Sequence, residues 1–165
     1  MVTALYPGSF DPIHHGHMDI VQRATSLFDH VIVGIYDRPN KGLMFDLEER
    51  VALAKAVLES FENVRVSGYS GLTVDFARSQ GAKVLVRGLR VISDFEHEYQ
   101  MALVNQQLGP DIETICLMTR HEHAFMSASI IKEAFVAGGD VSAMVHPIVE
   151  AALRGKCNRD GDEAR

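Results

Sequence analysis

The feature that most constrains this chain is an alternation of texture. Short runs rich in β-branched residues recur at 2–6 (VTALY), 30–36 (HVIVGIY), 63–68 (NVRVSG), 82–88 (AKVLVRG) and 113–118 (ETICLM). They show almost no polar alternation, the pattern of strands covered on both faces. Longer stretches with helical spacing separate them. Ile20, Ala24, Leu27 and Phe28 form one apolar stripe, and Leu47, Val51, Ala54 and Leu58 form another. Asp46 followed by Glu49 has the form of a capping box, and Gly81 after VDFARSQ suits a helix C-terminus. Phe95, Tyr99 and Ala102 line a fourth helix. Strand–helix alternation at this rhythm predicts an α/β fold: a single doubly wound, Rossmann-like domain, with a five-stranded parallel sheet and helices on both faces. The domain is expected to span residues 1–154, and the polar stretch 155–165 is expected to be a tail without order.

Composition narrows the function classes. The 165 residues are 47% hydrophobic, enough for one substantial core. A net charge of −6 leaves no general cationic excess for a nucleic-acid backbone. The sequence has no apolar run long enough to span a membrane and no secretory leader pattern, so a cytoplasmic setting is the expectation. Two cysteines make no disulfide framework; Cys116, within an apolar run, reads as a buried thiol.

In a doubly wound sheet, ligands bind beyond the carboxyl ends of the strands, where the strand order reverses. The first such connection is YPGSFDPIHHGH, Tyr6–His17. Gly8 permits a close backbone approach, and Ser9 adds a hydroxyl. Gly16 and His17 open the first helix, whose amides and dipole suit an anion. A phosphate there meets amides, a hydroxyl and an imidazole together.

HHGH (His14–His17) resembles the HxGH motif of the nucleotidylyltransferase superfamily. YPGSFDPIHHGHMDIVQRA, RPNKGLMFDLEERVAL, VLVRGLRVISDFEHEYQMALVN and FMSASIIKE then occur in an order and spacing similar to the bacterial phosphopantetheine adenylyltransferases. The resemblance runs from Val2 to Leu153, nearly the whole chain. It implies transfer of the adenylyl group of ATP to 4′-phosphopantetheine, giving dephospho-coenzyme A and pyrophosphate. It also implies Mg²⁺ as cofactor, a homohexamer, and coenzyme A as feedback inhibitor.

The resemblance assigns residues as well. Catalysis falls to His17, Lys41 and Ser127. ATP falls to Ser9, Phe10, His17, Gly88, Leu89, Arg90 and Glu98, and to the loop His123, Ala124, Phe125, Met126, Ser127, Ala128 and Ser129. Phosphopantetheine falls to Ser9, Lys41, Leu72, Thr73 and Arg87. No protein ligand for the metal is implied. Three positions depart from a common pattern: His14 where many members have Thr, Ala128 where a third hydroxyl is frequent, and Lys132 where the wider superfamily has arginine, though lysine is usual in this family.

Plainer readings stand beside these. Lys41 alone reads as a solvated loop lysine, Arg90 as an ion pair with Asp94 or Glu96, Glu98 as part of a solvated helix face, and Ser127 and Ser129 as helix caps. No cysteine or carboxylate completes a recognisable zinc-site spacing with HHGH or HEH (His121–His123). The alternative functions are a nucleotidylyltransferase for another acceptor and a non-catalytic nucleotide- or coenzyme A-binding protein.

Overall fold

The computed structural model describes residues 1–39 and 42–163, without the side chains of 92, 93 and 158–163. Lys41 therefore lies outside the described residues. The elements run β1 (Thr3–Gly8), α1 (His15–Leu27), β2 (His30–Tyr36), α2 (Leu47–Val57), β3 (Val64–Tyr69), α3 (Thr73–Ser79), β4 (Val84–Leu89), α4 (Ile92–Leu108) and β5 (Glu113–Met118). A 3₁₀ turn (His121–His123), α5 (Ala128–Val136) and α6 (Pro147–Glu163) follow.

The five strands lie in the order β3-β2-β1-β4-β5, and every pairing is parallel. The expected doubly wound sheet is thus the observed one. The order reverses at β1, which pairs with β2 on one side and β4 on the other. A crevice therefore opens above the carboxyl ends of β1 and β4.

Alternation along the central strands feeds two unequal cores. Ala4 and Tyr6 of β1, Val33 and Ile35 of β2, and Val84 and Val86 of β4 join Ile20, Val21, Ala54, Ile131, Val149 and Leu153 in the larger one. Leu5, Ile32 and Leu85 point the other way, onto Val74 and Ala77 of α3. The second core is small because α4 brings little to it. Phe95 and Tyr99 of α4 are 54% and 55% exposed.

Local signals explain several helix ends. Asp46 accepts the Glu49 N–H at 2.8 Å and Glu49 accepts the Asp46 N–H at 3.0 Å, the capping box expected for α2. Gly81 has φ +70°, a left-handed conformation that a residue without Cβ adopts at no steric cost.

Three expectations are corrected. Cys116 is exposed, because β5 is an edge strand that pairs only with β4 and is thinly covered. Leu27 is 62% exposed at the last residue of α1, while Phe28 of the same stripe packs against the larger core. Phe95 and Tyr99 do stand on the fourth helix, α4, as expected, and they lie on its outer face. The backbone of α6 continues as helix through Glu163, past the end of the apolar pattern at residue 154. A helix already nucleated by packed residues such as Val149 and Leu153 propagates into polar sequence at little cost per residue.

Candidate active site

The loop between β1 and α1 forms one wall of a cleft of about 330 Å³ above the β1–β4 switch point. Its backbone is unusual at Phe10, where φ is +47°. A non-glycine residue there is strained and persists only where its surroundings over-determine it. The Phe10 ring is 1% exposed and packs edge-on against Tyr6 and His17 at 5.3 and 4.8 Å. A Cβ on Gly8 would sit 2.9 Å from that ring, so the glycine makes room for it.

The three histidines of this loop separate into two roles. His15 faces outward, its Nδ1 donating to the Ala143 carbonyl at 3.1 Å and its N–H to the Met144 carbonyl at 2.9 Å. His14 and His17 line the cleft with their rings stacked 3.7 Å apart. The His14 N–H donates to Nδ1 of His17 at 3.3 Å. A backbone N–H can only donate, so Nδ1 carries the lone pair and Nε2 carries the proton of the neutral ring. Burial, with added repulsion from Arg90, pulls the His14 pKa from 6.5 down to about 3. His14 is therefore a neutral neighbour at physiological pH.

The opposite wall comes from the end of β4. Arg87 donates to both carboxylate oxygens of Glu98, at 2.6 and 2.7 Å, and to the Pro7 carbonyl at 2.9 Å. Burial works against the guanidinium charge, yet the Glu98 hydrogen bonds and charge hold its pKa above the ordinary value. Glu98 is 8% exposed, so the solvated-face reading is corrected. The reason is tertiary: Arg87 projects from β4 onto the first turns of α4. Arg90 pairs with Asp94 at 2.9 Å, as the plainer reading expected, and donates to the Met126 carbonyl at 2.8 Å. That bond ties the β4 end to the loop before α5. Tyr6 lies beneath, and burial raises its phenol pKa far above the usual value.

The third wall is the start of α5. Ser127 is its N-cap and accepts the Ile130 N–H at 3.2 Å. Ser127, Ala128 and Ser129 border the cleft together with Met126. A helix N-terminus of this kind leaves amides directed at an anion.

Most of the expected residues thus converge. Ser9, Phe10, His17, Arg87, Gly88, Arg90, Glu98 and Met126–Ser129 all line the cleft. Others do not. Leu89 is buried and is not part of the cleft lining, and His123 sits behind the loop near Gly16, as Gly16's missing Cβ would approach it to 3.7 Å. Ala124 and Phe125 lie outside the cleft, Phe125 at 58% exposure. Leu72 and Thr73 begin α3 beyond edge strand β3, where Thr73 shares a hydrogen bond with Tyr69. Sequence reasoning missed Tyr6, Ile20 and Thr119 in the lining. Tyr6 and Thr119 sit at the carboxyl ends of β1 and β5, so the rule that found Gly88 also reaches them.

Among the described residues, no three His, Cys, Asp or Glu side chains gather to hold a metal ion. The one carboxylate that lines the cleft among the described residues, Glu98, already accepts from Arg87 through both oxygens.

A parallel α/β sheet with an anion-ready loop and helix N-terminus at its switch point defines a nucleotidyltransferase-type protein. The cytidylyltransferase-like family model matches residues 5–134. The fold is shared with a putative nicotinate-nucleotide adenylyltransferase from Vibrio parahaemolyticus, at TM-score 0.71 and 20% identity, covering 94% of this chain and 93% of that one. It is shared also with the nicotinic acid mononucleotide adenylyltransferase of Plasmodium falciparum, at TM-score 0.65 and 16% identity, covering 88% and 91%. The chain is 50% identical to a phosphopantetheine adenylyltransferase of Ralstonia pickettii, over 96% of this chain and 95% of that protein. It is 48% identical to one of Alkaliphilus metalliredigens, over 94% and 99%. The chain belongs to the phosphopantetheine adenylyltransferase family.

Proposed function

We propose that this chain transfers the adenylyl group of ATP to the phosphate of 4′-phosphopantetheine. A phosphate oxygen of the acceptor attacks the α-phosphorus. The bond from that phosphorus to the bridging oxygen breaks, and pyrophosphate leaves with the electron pair. Dephospho-coenzyme A is the other product.

The acceptor explains the residue types. A phosphate monoester is largely dianionic at neutral pH, its second pKa being about 6, so the attack needs no general base. What the site must do is bring two anions together, align them and stabilise charge at the α-phosphoryl group. The observation that carries the reading is His17: with Nδ1 held by a backbone N–H, its Nε2–H is a fixed donor beside the cleft. We assign it to the α-phosphate, with Ser9 and the Phe10 N–H between the two phosphates. Arg87 keeps two guanidinium N–H groups after its bonds to Glu98 and Pro7, and these suit the acceptor phosphate. Gly88–Arg90, Glu98 and His123–Ser129 are assigned to ATP, with Ser127 at its outer phosphates. Lys41 is assigned to both phosphates, and Leu72 and Thr73 to the pantetheine arm.

The reaction class is metal-dependent, and the metal we assign is Mg²⁺. The described residues offer it no ligand set of their own. It would enter on the triphosphate and water, as suits this ion. No step above is routed through it. The active species is taken as a homohexamer in the cytoplasm, with residues 1–154 as one catalytic domain and coenzyme A as an inhibitor sharing the pantetheine arm. The exposed apolar residues of α4 and β5 support an assembled state.

Pyrophosphate release with ATP, Mg²⁺ and 4′-phosphopantetheine tests the reading, with nicotinamide mononucleotide and glycerol 3-phosphate as control acceptors. Release with 4′-phosphopantetheine alone is expected. Release with a control acceptor instead would discard the assignment of Arg87, and no release with any acceptor would discard the enzyme reading.

A further inference from the structure

Beneath the cleft lies a buried charge that the reaction does not use. The Asp11 side chain is 0% exposed. Its carboxylate accepts the N–H groups of Met44, at 3.0 Å, and Phe45, at 2.9 Å, and the ammonium of Lys132 at 2.5 Å. Lys132 also donates to the Gly42 carbonyl at 3.2 Å. It does not line the cleft, although its helix begins there. Its charge is spent on Asp11, where the superfamily's arginine would suggest a phosphate ligand.

Three separate segments meet at this carboxylate. Asp11 follows Ser9 and Phe10 in the β1–α1 loop. Lys132 lies one turn into α5, whose first residues include Ser129. Gly42–Phe45 leads into α2. Arg50 fastens the same loop from below, donating to the Ser9 carbonyl at 2.9 Å and the Phe45 carbonyl at 3.1 Å. The two phosphate-facing elements are therefore spaced through one ion pair.

We infer that Asp11 and Lys132 are positioning residues for adenylyl transfer: their ion pair sets the α5 N-terminus against the His17 loop. The inference rests on the function proposed above. A transfer between two anions depends on alignment, and a displacement near 1 Å can cost about 10²-fold. Neither group touches a phosphate in this scheme, so ATP affinity and turnover respond differently to their loss.

The experiment compares Lys132→Gln, Lys132→Arg, Asp11→Asn and the Asp11→Asn/Lys132→Gln pair with the wild type. It measures kcat for pyrophosphate release with ATP, Mg²⁺ and 4′-phosphopantetheine, and separately the Kd for ATP alone, well below each melting temperature. Lys132→Gln is expected to lower kcat about 10–100-fold with Kd changed less than about threefold. Lys132→Arg should restore most of the turnover, since it keeps the pair, and the double variant should be no slower than the worse single one. Unchanged kcat in folded Lys132→Gln, whatever its melting temperature, would reduce the pair to a structural role and overturn the inference. A loss of ATP affinity matching the loss of turnover would make Lys132 a phosphate ligand and overturn it as well. Losses that multiply in the double variant would show two independent roles, with the same result. Lys132→Gln and Lys132→Arg decide the matter by themselves if Asp11→Asn does not fold. A wild type inactive with every acceptor would refute the proposed function instead, and an active wild type with unaffected variants would refute the ion pair's role alone.

Discussion

On the β1 side of the cleft, Asp11 and Arg50 are buried, and their side chains close on backbone groups and Lys132 of the same chain. On the far side, α4, its N-cap residue and β5 leave Val91, Phe95, Tyr99, Leu103, Ile115 and Met118 in the open, each at least 36% exposed. The first region spends buried polar contacts on holding a loop in a strained shape. The second leaves apolar area that no part of the described chain covers. The contrast separates two tasks. Groups that face developing charge must be fixed before substrate arrives, and a single chain does this with hydrogen bonds. An apolar helix face needs only a complementary surface, which a second molecule can supply.

The comparison breaks most severely at Arg50. Its guanidinium donates to the carbonyls of Ser9, Tyr36, Asp37, Phe45 and Asp46, at 2.8 to 3.2 Å. Arg50→Met keeps much of the volume but strands those buried acceptors. A loss of about 3–5 kcal/mol of stability is expected. Chemical denaturation measures it. A loss under 1 kcal/mol would mean that water reaches these carbonyls and that the β1 side is less closed than its contacts indicate.

His17→Ala follows, with its effect on rate and not on folding. A fall in kcat of about 10²–10³ is expected, the usual cost of one transition-state donor, with ATP affinity little changed. Steady-state kinetics beside ATP titration checks it. If affinity falls with rate in equal proportion, His17 binds the ground state and the transition state alike.

These two residues also show how far the sequence could be read. His17 was legible because its loop is contiguous: strand, glycine, serine and histidine follow each other within Tyr6–His17, and the strand-end rule places them. The capping box of α2 and the Ser127 cap were legible because both are local. Arg50 was not, since an arginine on a helix reads as solvated until its distant acceptors, the carbonyls of Ser9, Tyr36 and Asp37, are known. The Asp11–Lys132 pair spans 121 positions and leaves no periodic trace. Cys116 was misread for the opposite reason. Its apolar run is real, but an apolar strand at the sheet edge is covered only where another element packs on it, and α4 turns its large side chains outward.

His14 sharpens the comparison through pH. Its folded pKa of about 3 lies below the ordinary 6.5, so the unfolded chain binds this proton more readily. Its contribution is therefore neutral above about pH 6.5 and destabilising as pH falls from there toward about 3. The slope reaches about 1.4 kcal/mol per pH unit at most. His14→Thr should remove that part of the acid sensitivity and leave stability at pH 8 less affected. Denaturation midpoints at pH 8, 6, 5 and 4 for both proteins give the difference. A constant difference across that range would mean His14 is protonated freely in the folded state.

The smallest effect on folding is expected on the unfinished side. Phe95 and Tyr99 stack 5.9 Å apart, one helical turn from each other, and Leu103 continues the row another turn along. Phe95 is 54% exposed, so a single folded chain loses little when it is replaced. Phe95→Glu should move folding stability of the separated chain by no more than about 0.5 kcal/mol, as for most surface changes. Between chains the same substitution places an unpaired carboxylate in an apolar contact, a cost of several times that amount. Sedimentation equilibrium of the wild type should therefore give a multiple of the single-chain mass, and that of Phe95→Glu a smaller species. Equal masses for both would separate α4 from any interface and leave its apolar row without a part in assembly. A large loss of single-chain stability would mean that Phe95 serves the small core after all, and the division between a finished and an unfinished side of the cleft would have to be redrawn at α4.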